Sequence, residues 1–413
     1  MKINDERLWD SLMKMAEIGA TPLGGVCRLA LTDEECCGRD LFITWCRDAG
    51  LTVRIDEIGN IFGRRDGRDL TAKAVLVGSH LDTQPKGGRF DGAYGVLAAL
   101  ELIRTLNDAG AVTDKPIEIV SWTNEEGARF TPSMVGSAVF AGAIELGKAY
   151  GLKDSDGVSI EDALTLCDYK GSGALTKDDV DSYFEAHIEQ GPILERNGTE
   201  IGVVSGGQAV RWLDINVSGF ASHAGTTPME VRKDAMFATA EMASSLESIA
   251  KRFGPKGLAT IGEISIANAS RNTIPGQLYF SVDIRHPEPA KIDEMEEAVR
   301  ESFEAIADSR GVIVKINTYL SIPVTTFDPV CVELVRTAAA DLGYSHEPIT
   351  SGAGHDAINL SRCVPSTMVF IPCVDGLSHN EAEKALPNDV SAGANVLLHA
   401  VASRAGYQNQ AVA

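Results

Sequence analysis

The chain has 413 residues, of which 44% are hydrophobic and 23% are charged, and its formal net charge is −21. This composition is typical of a soluble globular protein, and the length is too great for one ordinary core, so we expect two domains. The negative charge argues against nucleic-acid binding, because nothing would neutralise phosphates, and no apolar run reaches the roughly 18 residues that span a bilayer.

The first half of the chain alternates helix-like and strand-like segments. Residues 1–20 are charged and amphipathic, which predicts an opening helix rather than a signal peptide, and hence a cytoplasmic protein. The apolar run 72–80 predicts a buried strand, and 116–126 predicts another. Between them, helical spacing over 93–110 predicts a helix. Strand–helix–strand at this spacing predicts a parallel α/β sheet, in which ligands collect beyond the carboxyl ends of the strands.

The pattern changes near residue 210, where a second set of elements begins. Strands and helices then follow in the order βαββαβ, which is the split-βαβ or ferredoxin-like arrangement. The predicted segments are strand 212–219, helix 232–253, strands 258–267 and 277–286, helix 291–311 and strand 312–320. A helix at 329–343 and a strand at 365–372 then predict that the first domain resumes.

Four of the eight histidines lie beside glycine or acidic residues: His80 in GSHLD, His187 in EAHIEQGP, His223 in GFASHAGTTP and His379 in DGLSHNEAE. Any one of them alone is more often a hydrogen-bonded structural histidine than a metal ligand. The carboxylates that accompany them shift that balance towards ligands.

His80 and Asp82 stand two residues apart at a predicted strand end. Asp82 can accept the second ring N–H of His80 at this spacing, which would fix the imidazole tautomer and raise its basicity as a ligand. Asp91 lies just before the predicted helix, where the glycines of GGRFDG let the backbone pass close to a bound group. An N-cap role for Asp91 is equally sound, and both roles can hold together.

Glu125 and Glu126 are adjacent carboxylates at the end of a hydrophobic strand. Such a pair is hard to explain structurally, because the two groups repel each other and are costly to desolvate. A bound cation would remove this difficulty.

Imidazole and carboxylate ligands without a thiolate suit Zn²⁺, Mn²⁺, Co²⁺ or Ni²⁺. The candidates are too many for one catalytic zinc and enough for two divalent ions about 3.5–4 Å apart, if one carboxylate bridges them. Glu125 would then remain as a general base that takes a proton from water. The five candidate ligands are His80, Asp91, Glu126, His187 and His379.

Motifs of other enzyme classes are missing: there is no G-x-S-x-G elbow, no G-x-x-x-x-G-K-[ST] phosphate loop and no G-x-G-x-x-G after a strand. Over nearly its whole length the sequence resembles the dinuclear-metal amidohydrolases of the M20 peptidase type. Within them it resembles the branch of N-carbamoyl-amino-acid hydrolases, β-ureidopropionases and allantoate amidohydrolases. The matching segments are GSHLDTQPKGGRFDGAYGVLAALE, NEEGARF, HIEQGPILE, SHAGTTPMEVRKDA, NTIPG, DIRH, GAGHDA and DGLSHNEAE.

The resemblance implies a phosphorylase/hydrolase-like zinc-peptidase catalytic domain, with a mixed sheet flanked by helices. Residues 1–211 and 323–413 would form this domain. Residues 212–322 would be an inserted ferredoxin-like α+β domain that acts as a lid and joins two copies into a homodimer. No nucleic-acid or membrane partner is expected.

The resemblance also implies a role for each matching residue. The five candidate ligands would hold two divalent ions, with Zn²⁺ expected first and Mn²⁺, Co²⁺ or Ni²⁺ as alternatives, and Asp91 would bridge them. Glu125 would be the base, His223 would stabilise the oxyanion, and Asp82 would support the catalytic set through His80. Arg285 would grip a substrate carboxylate, a bidentate task that suits guanidinium. The residues implied in substrate binding are Gln190, His223, Asn272, Arg285 and Gly354.

The expected reaction is cleavage of an N-carbamoyl-L-amino acid or N-carbamoyl-β-alanine to the free amino acid, CO₂ and ammonia. Allantoate amidohydrolase and an aminoacylase or dipeptidase on the same scaffold are the enzymatic alternatives. A non-catalytic binding protein would have lost a ligand or the base, and all of these residues are in place.

Overall fold

A computed structural model of the chain describes residues 1–173 and 175–407. It divides into two units, Met1–Gly206 with Thr326–Ala413, and Gly207–Thr325. The predicted segment 323–413 ends in residues 408–413, which lie outside the described part. Within that part, no helix combines the length and apolar character needed to cross a membrane.

The helices and strands follow one another along both units. The helices are α1 (Asp5–Met15), α2 (Asp33–Asp48), α3 (Ala93–Asp108), α4 (Val135–Ala141), α5 (Leu146–Tyr150), α6 (Ile160–Leu166), α7 (Ile193–Asn197), α8 (Ala235–Arg252), α9 (Pro289–Arg310), α10 (Pro329–Asp341), α11 (Asp356–Leu360) and α12 (Pro387–Arg404). The strands are β1 (Thr52–Ile55), β2 (Ile61–Arg65), β3 (Ala74–His80), β4 (Ile117–Trp122), β5 (Val180–Ile188), β6 (Ile201–Gly207), β7 (Ala209–Ser218), β8 (Leu258–Thr260), β9 (Ile264–Ile266), β10 (Gln277–His286), β11 (Ile313–Ile322), β12 (Thr325–Thr326), β13 (His346–Ser351) and β14 (Ser366–Ile371).

The first unit is built on a mixed sheet with the strand order β1-β2-β4-β3-β5-β14-β6-β12, and β13 also pairs with β6. In its centre, β3 runs parallel to β4 and β5, and β14 runs parallel to β5. The strands β2 and β6 pair antiparallel with this centre. The carboxyl ends of β3, β4 and β5 therefore meet at one edge of the sheet.

The central strands are rich in apolar residues because both of their faces are covered. Every residue of β3 and of β4 is buried, and α3 packs its apolar side chains against them. The prediction that Asp91 caps α3 is wrong. Gly92 is the N-cap residue, with a φ of 63°, and α3 has no side-chain cap hydrogen bond.

The second unit has a five-stranded antiparallel sheet, ordered β11-β7-β10-β8 with β9 also paired to β10. The helices α8 and α9 cover one of its faces, and the elements follow in the order βαβββαβ, which is the predicted βαββαβ order with one additional strand. The single strand predicted over 258–267 is wrong, because the chain leaves the ladder between β8 and β9. There, Glu263 exchanges hydrogen bonds with the backbone N–H and the hydroxyl of Ser281.

A buried ion pair ties α2 to the segment that follows β4. The side chains of Glu35 and Arg39 are both fully buried, and Arg39 Nε donates to the Glu35 carboxylate at 2.6 Å. The same guanidinium donates to the carbonyl of Gly59 and to Thr123 Oγ1. Removal of the cation would leave a carboxylate desolvated without its partner, which costs more than the loss of an exposed pair.

We therefore expect Arg39→Met to lower the free energy of unfolding by about 3–5 kcal/mol. The matched control is Arg336→Met, which breaks the exposed pair with Glu333 in α10 and should cost less than about 1 kcal/mol. Urea denaturation of both variants measures the difference. Equal losses in the two variants would contradict the importance of the buried pair.

Candidate metal centre

The loop between β3 and α3 brings Asp91 against His80. His80 is the last residue of β3, and Asp91 stands directly before the N-cap residue Gly92. A Cβ atom at Gly92 would lie 2.3 Å from His80 Cε1, and the positive φ there also disfavours a side chain. Glycine at this position is therefore required for the imidazole and the carboxylate to meet.

Three of the predicted ligands form a buried cluster. The carboxylate oxygen Asp91 Oδ1 lies 3.5 Å from His80 Nε2 and 3.2 Å from His187 Nε2. His187 comes from β5, whose parallel pairing with β3 places the two histidines at the same sheet edge. All three side chains are buried, and their ligand atoms are close enough to share one metal ion.

The other carboxylate oxygen of Asp91 belongs to a second cluster. His379 Nε2 lies 3.5 Å from Asp91 Oδ2 and 3.3 Å from Glu126 Oε2. The Glu126 carboxylate is buried, whereas half of the His379 side chain is exposed. The structure thus brings all five predicted ligands together, in two groups that share Asp91.

The hydrogen bonds of the two buried histidines direct both Nε2 atoms towards Asp91, an arrangement that favours a cation at this point. His80 Nδ1 lies 2.9 Å from the carbonyl oxygen of Asp82, and His187 Nδ1 lies 3.0 Å from that of Ile188. A carbonyl can only accept, so each Nδ1 carries the proton. In neutral imidazoles the Nε2 lone pairs then face the Asp91 carboxylate, and His187 Nε2 indeed accepts from the N–H of Gly92 at 3.3 Å. Either a metal ion or an extra proton on each ring is needed to offset this repulsion.

Asp82 corrects one prediction. The acceptor for the second ring N–H of His80 is the backbone carbonyl of Asp82, and its carboxylate lies 3.9 Å from that nitrogen. The carboxylate instead accepts the backbone N–H groups of Glu125 and Glu126, both at 3.1 Å. Asp82 therefore positions the loop that carries the proposed base and ligand.

The pKa shifts describe a site that takes up protons when no cation is bound. Burial alone would lower the pKa of His80, but the carboxylates of Glu125 and Asp91 raise it well above its usual value. The pKa of His187 is raised in the same way, chiefly by Asp91. Burial raises the pKa of Glu125 well above its usual value, and burial together with Asp91 raises that of Glu126 to about 8.

Two predicted substrate-binding residues lie in the first unit. Gln190 donates from Nε2 to Asp91 Oδ2 at 2.8 Å and to Ser378 Oγ at 2.9 Å. Its Oε1 atom is buried and has no hydrogen-bond partner among the described residues. Gly354 is exposed and directly precedes His355, whose ring centroid lies 4.4 Å from that of His187.

The other predicted substrate-binding residues lie in the second unit. The loops of His223 and Asn272 are neighbours, because the N–H of Ala224 donates to the carbonyl of Asn272 at 2.8 Å, and both residues are exposed. Arg285 lies on β10, where its guanidinium holds the Asp283 carboxylate. The roles of these residues toward a substrate stay predictions.

Sequence reasoning missed three residues that contact the candidate ligands. Gln84 donates to the Glu126 carboxylate from its backbone N–H at 3.1 Å and from its side-chain amide at 2.8 Å. Ser378 Oγ donates to Asp91 Oδ2 at 2.8 Å. Glu383 accepts the backbone N–H of Asp91 at 3.1 Å. All three stand inside the segments TQPKGG and LSHNEAE, but linear spacing gives no sign of these contacts.

Comparison with known proteins identifies the family. The model of Peptidase family M20/M25/M40 matches residues 76–403. The chain is 46% identical to an N-carbamoyl-L-amino-acid amidohydrolase of Rhizobium meliloti, over 97% of this chain and 96% of that protein. It is 32% identical to the allantoate amidohydrolase of Escherichia coli K12, over 94% and 95%. A crystal structure of a hydantoinase/carbamoylase family amidase from Burkholderia ambifaria is 60% identical and superposes with a TM-score of 0.92, covering 99% of both chains. The chain belongs to the M20/M25/M40 family.

The protonation of the site predicts how stability should respond to pH. In the metal-free protein, His80, His187 and Glu126 have pKa values above their unfolded values, so the folded state binds more protons. Their contribution to stability is complete below the unfolded pKa values and is lost as pH rises through the folded ones, which is about 8 for Glu126. Metal ligation needs these groups deprotonated, so a metal ion should stabilise the fold more as pH rises.

We expect the Tm of chelator-treated protein to fall between about pH 6 and about pH 8.5, and the Tm of Zn²⁺- or Mn²⁺-loaded protein to fall much less. Thermal unfolding across this range, with and without metal, makes the comparison. A gap between the two Tm values that stays constant with pH would contradict the proton–metal exchange.

Proposed function

We propose that this member of the M20/M25/M40 family is a metal-dependent amidohydrolase that converts an N-carbamoyl amino acid to the free amino acid, CO₂ and ammonia. The observation that carries the proposal is the pair of ligand clusters that share Asp91, with the buried carboxylate of Glu125 beside them. The 46% identity to an N-carbamoyl-L-amino-acid amidohydrolase supports the same reaction.

The donor set fits two divalent ions. Bound there, two such ions would supply Lewis-acid chemistry, polarising the ureido carbonyl and lowering the pKa of the attacking water. Imidazole and carboxylate donors suit Zn²⁺ first, and Mn²⁺, Co²⁺ or Ni²⁺ as alternatives. We assign these ions to His80, Asp91, Glu126, His187 and His379.

Glu125 is placed to move the protons of the reaction. Its Oε2 atom lies 3.5 Å from His80 Nε2, and its backbone N–H is held by the Asp82 carboxylate. Burial raises the pKa of Glu125, so that the carboxyl can both accept and return a proton. In the proposed reaction, Glu125 takes a proton from water as the oxygen attacks the carbonyl carbon. It then delivers this proton to the nitrogen that leaves when the C–N bond breaks.

The unpartnered oxygen of Gln190 favours a ureido substrate over an N-acyl one. Nε2 of Gln190 must face the Asp91 carboxylate, because that group only accepts hydrogen bonds, and this leaves Oε1 to accept from a ligand. A carbamoyl group carries N–H donors that can pair with this oxygen, whereas an acetyl methyl group would leave it desolvated and unpaired. The hydrogen bond proposed here, between Gln190 Oε1 and a carbamoyl N–H, argues against the aminoacylase alternative.

The remaining predicted substrate-binding residues belong to the same proposal. We assign the oxyanion to His223, substrate contacts to Asn272 and Gly354, and the substrate carboxylate to Arg285, because a guanidinium can bind a carboxylate through two hydrogen bonds. A homodimer formed through the second unit, and action in the cytoplasm, are also part of this proposal. Allantoate is the second candidate substrate, on the strength of the 32% identical Escherichia coli relative.

Replacing the proposed base separates catalysis from metal binding. We expect Glu125→Gln to lower kcat for an N-carbamoyl amino acid by about 10²–10⁴-fold, because the amide cannot accept a proton from water. Metal content should stay at the wild-type level, since Glu125 is not one of the assigned ligands. Ammonia release and metal analysis give both readouts, with the exposed Glu145→Gln as control. Near-normal turnover would contradict the assigned role.

A panel of substrates tests the contact proposed for Gln190. For one amino acid, kcat/KM for the N-carbamoyl derivative should exceed that for the N-acetyl derivative by at least about 10²-fold. Gln190→Met should lower this ratio of kcat/KM values towards one, and the metal content of the variant should match that of the wild type. N-carbamoyl-β-alanine and allantoate complete the panel and identify the preferred ureide. A ratio that is unchanged in the variant would show that Gln190 does not read the ureido N–H.

A further inference from the structure

Glu383 is a buried carboxylate close to the candidate ligands. It lies four residues after His379, in the segment between β14 and α12, and only 5% of the residue is exposed. A desolvated carboxylate at such a position needs hydrogen-bond donors or a cation. Two of its hydrogen-bond donors belong to a segment far away in sequence.

Those donors belong to the loop that carries Asp91. Glu383 Oε1 accepts the backbone N–H of Phe90 at 2.9 Å and that of Asp91 at 3.1 Å. Its other oxygen lies 3.3 Å from Ser378 Oγ, which also lies 2.8 Å from Asp91 Oδ2. Glu383 therefore holds the backbone of Asp91 directly, and it contacts the hydroxyl that orients the Asp91 carboxylate.

Gly88 provides the room for this contact. A Cβ atom at position 88 would lie 2.0 Å from both Cδ and Oε1 of Glu383, so any other residue there would displace the Glu383 side chain. Gly88, one of the glycines in GGRFDG, thus lets the backbone pass close to the Glu383 carboxylate.

We propose that Glu383 is a positioning residue that joins the loop of Asp91 to the loop of His379 and so prepares both ligand clusters before a metal ion binds. Asp91 and Glu383 are 292 residues apart, and without this contact the two loops would have to be ordered when the metal ion binds. The proposal rests on the metal site assigned above. Outer contacts of this kind alter metal affinity by about 10–100-fold when they are removed.

Three variants test the proposal, with metal affinity as the readout. Glu383→Ala removes the acceptor and should raise the Kd for Zn²⁺, measured by competition with a chelator and without substrate, by about 10–100-fold. Glu383→Gln keeps the carbonyl oxygen for the two backbone N–H groups, and its amide can donate to Ser378 Oγ, so its Kd should stay close to that of the wild type. Glu381→Ala removes a carboxylate from the same segment and should leave the Kd unchanged.

Wild-type affinity for Zn²⁺ in Glu383→Ala would overturn the proposal. An equal loss of affinity in Glu383→Ala and Glu383→Gln would also overturn it, because the effect would then come from the charge of Glu383 and not from its hydrogen bonds. If Glu383→Ala does not fold, Glu383→Asp takes its place. The shorter side chain cannot span both contacts, so its Kd should rise while that of Glu383→Gln does not, and wild-type affinity in Glu383→Asp would overturn the proposal. Absence of metal binding in the wild type would refute the proposed function itself, a result distinct from failure of the positioning role alone.

Discussion

The buried carboxylate of Asp91 is the constraint on which the rest of the site depends. Its two oxygens each belong to a separate ligand cluster, so its orientation decides whether both clusters can form. A buried carboxylate needs hydrogen-bond donors that fix its orientation, because desolvation penalises its charge and neighbouring acceptors repel it. Gln190 and Ser378 donate to one oxygen, and Glu383 holds the backbone. These hydrogen bonds with three different residues all fix the position of Asp91.

The sheet explains why residues from distant segments can meet around Asp91. The strands β3, β4 and β5 run parallel, so His80, the loop of Glu125 and Glu126, and His187 emerge at one edge. Under this edge lies a second polar layer. The Asp82 carboxylate holds the Glu125–Glu126 loop, and the Glu35–Arg39 pair reaches the residue Thr123 just before it. The site is thus supported by buried polar contacts as well as by the apolar core.

The sequence pattern is enough to predict which site residues stand at strand ends. It is not enough to predict contacts between residues that are far apart in the sequence or that depend on which atom of a residue is the acceptor. The predicted acceptor for the His80 ring N–H is the Asp82 carboxylate, whereas the acceptor in the structure is the Asp82 backbone carbonyl. Sequence spacing cannot distinguish the two groups, because they belong to the same residue. The strand over 258–267 was broken by pairing with Ser281 on β10, which linear alternation cannot show. Glu383 acts on Asp91 from 292 residues away, so no periodicity or motif spacing could link them.

The two ligand clusters differ in a way that bears on how they would hold cations. The cluster of His80, Asp91 and His187 is fully buried and has two imidazoles for one carboxylate, whereas the cluster of Glu126, Asp91 and His379 has two carboxylates and a half-exposed imidazole. Carboxylate ligands and imidazole ligands suit different divalent ions. The two clusters would therefore offer different environments to the ions proposed above. Because Glu383 and Ser378 connect the His379 segment to Asp91, the contacts that order the exposed cluster also shape the buried one.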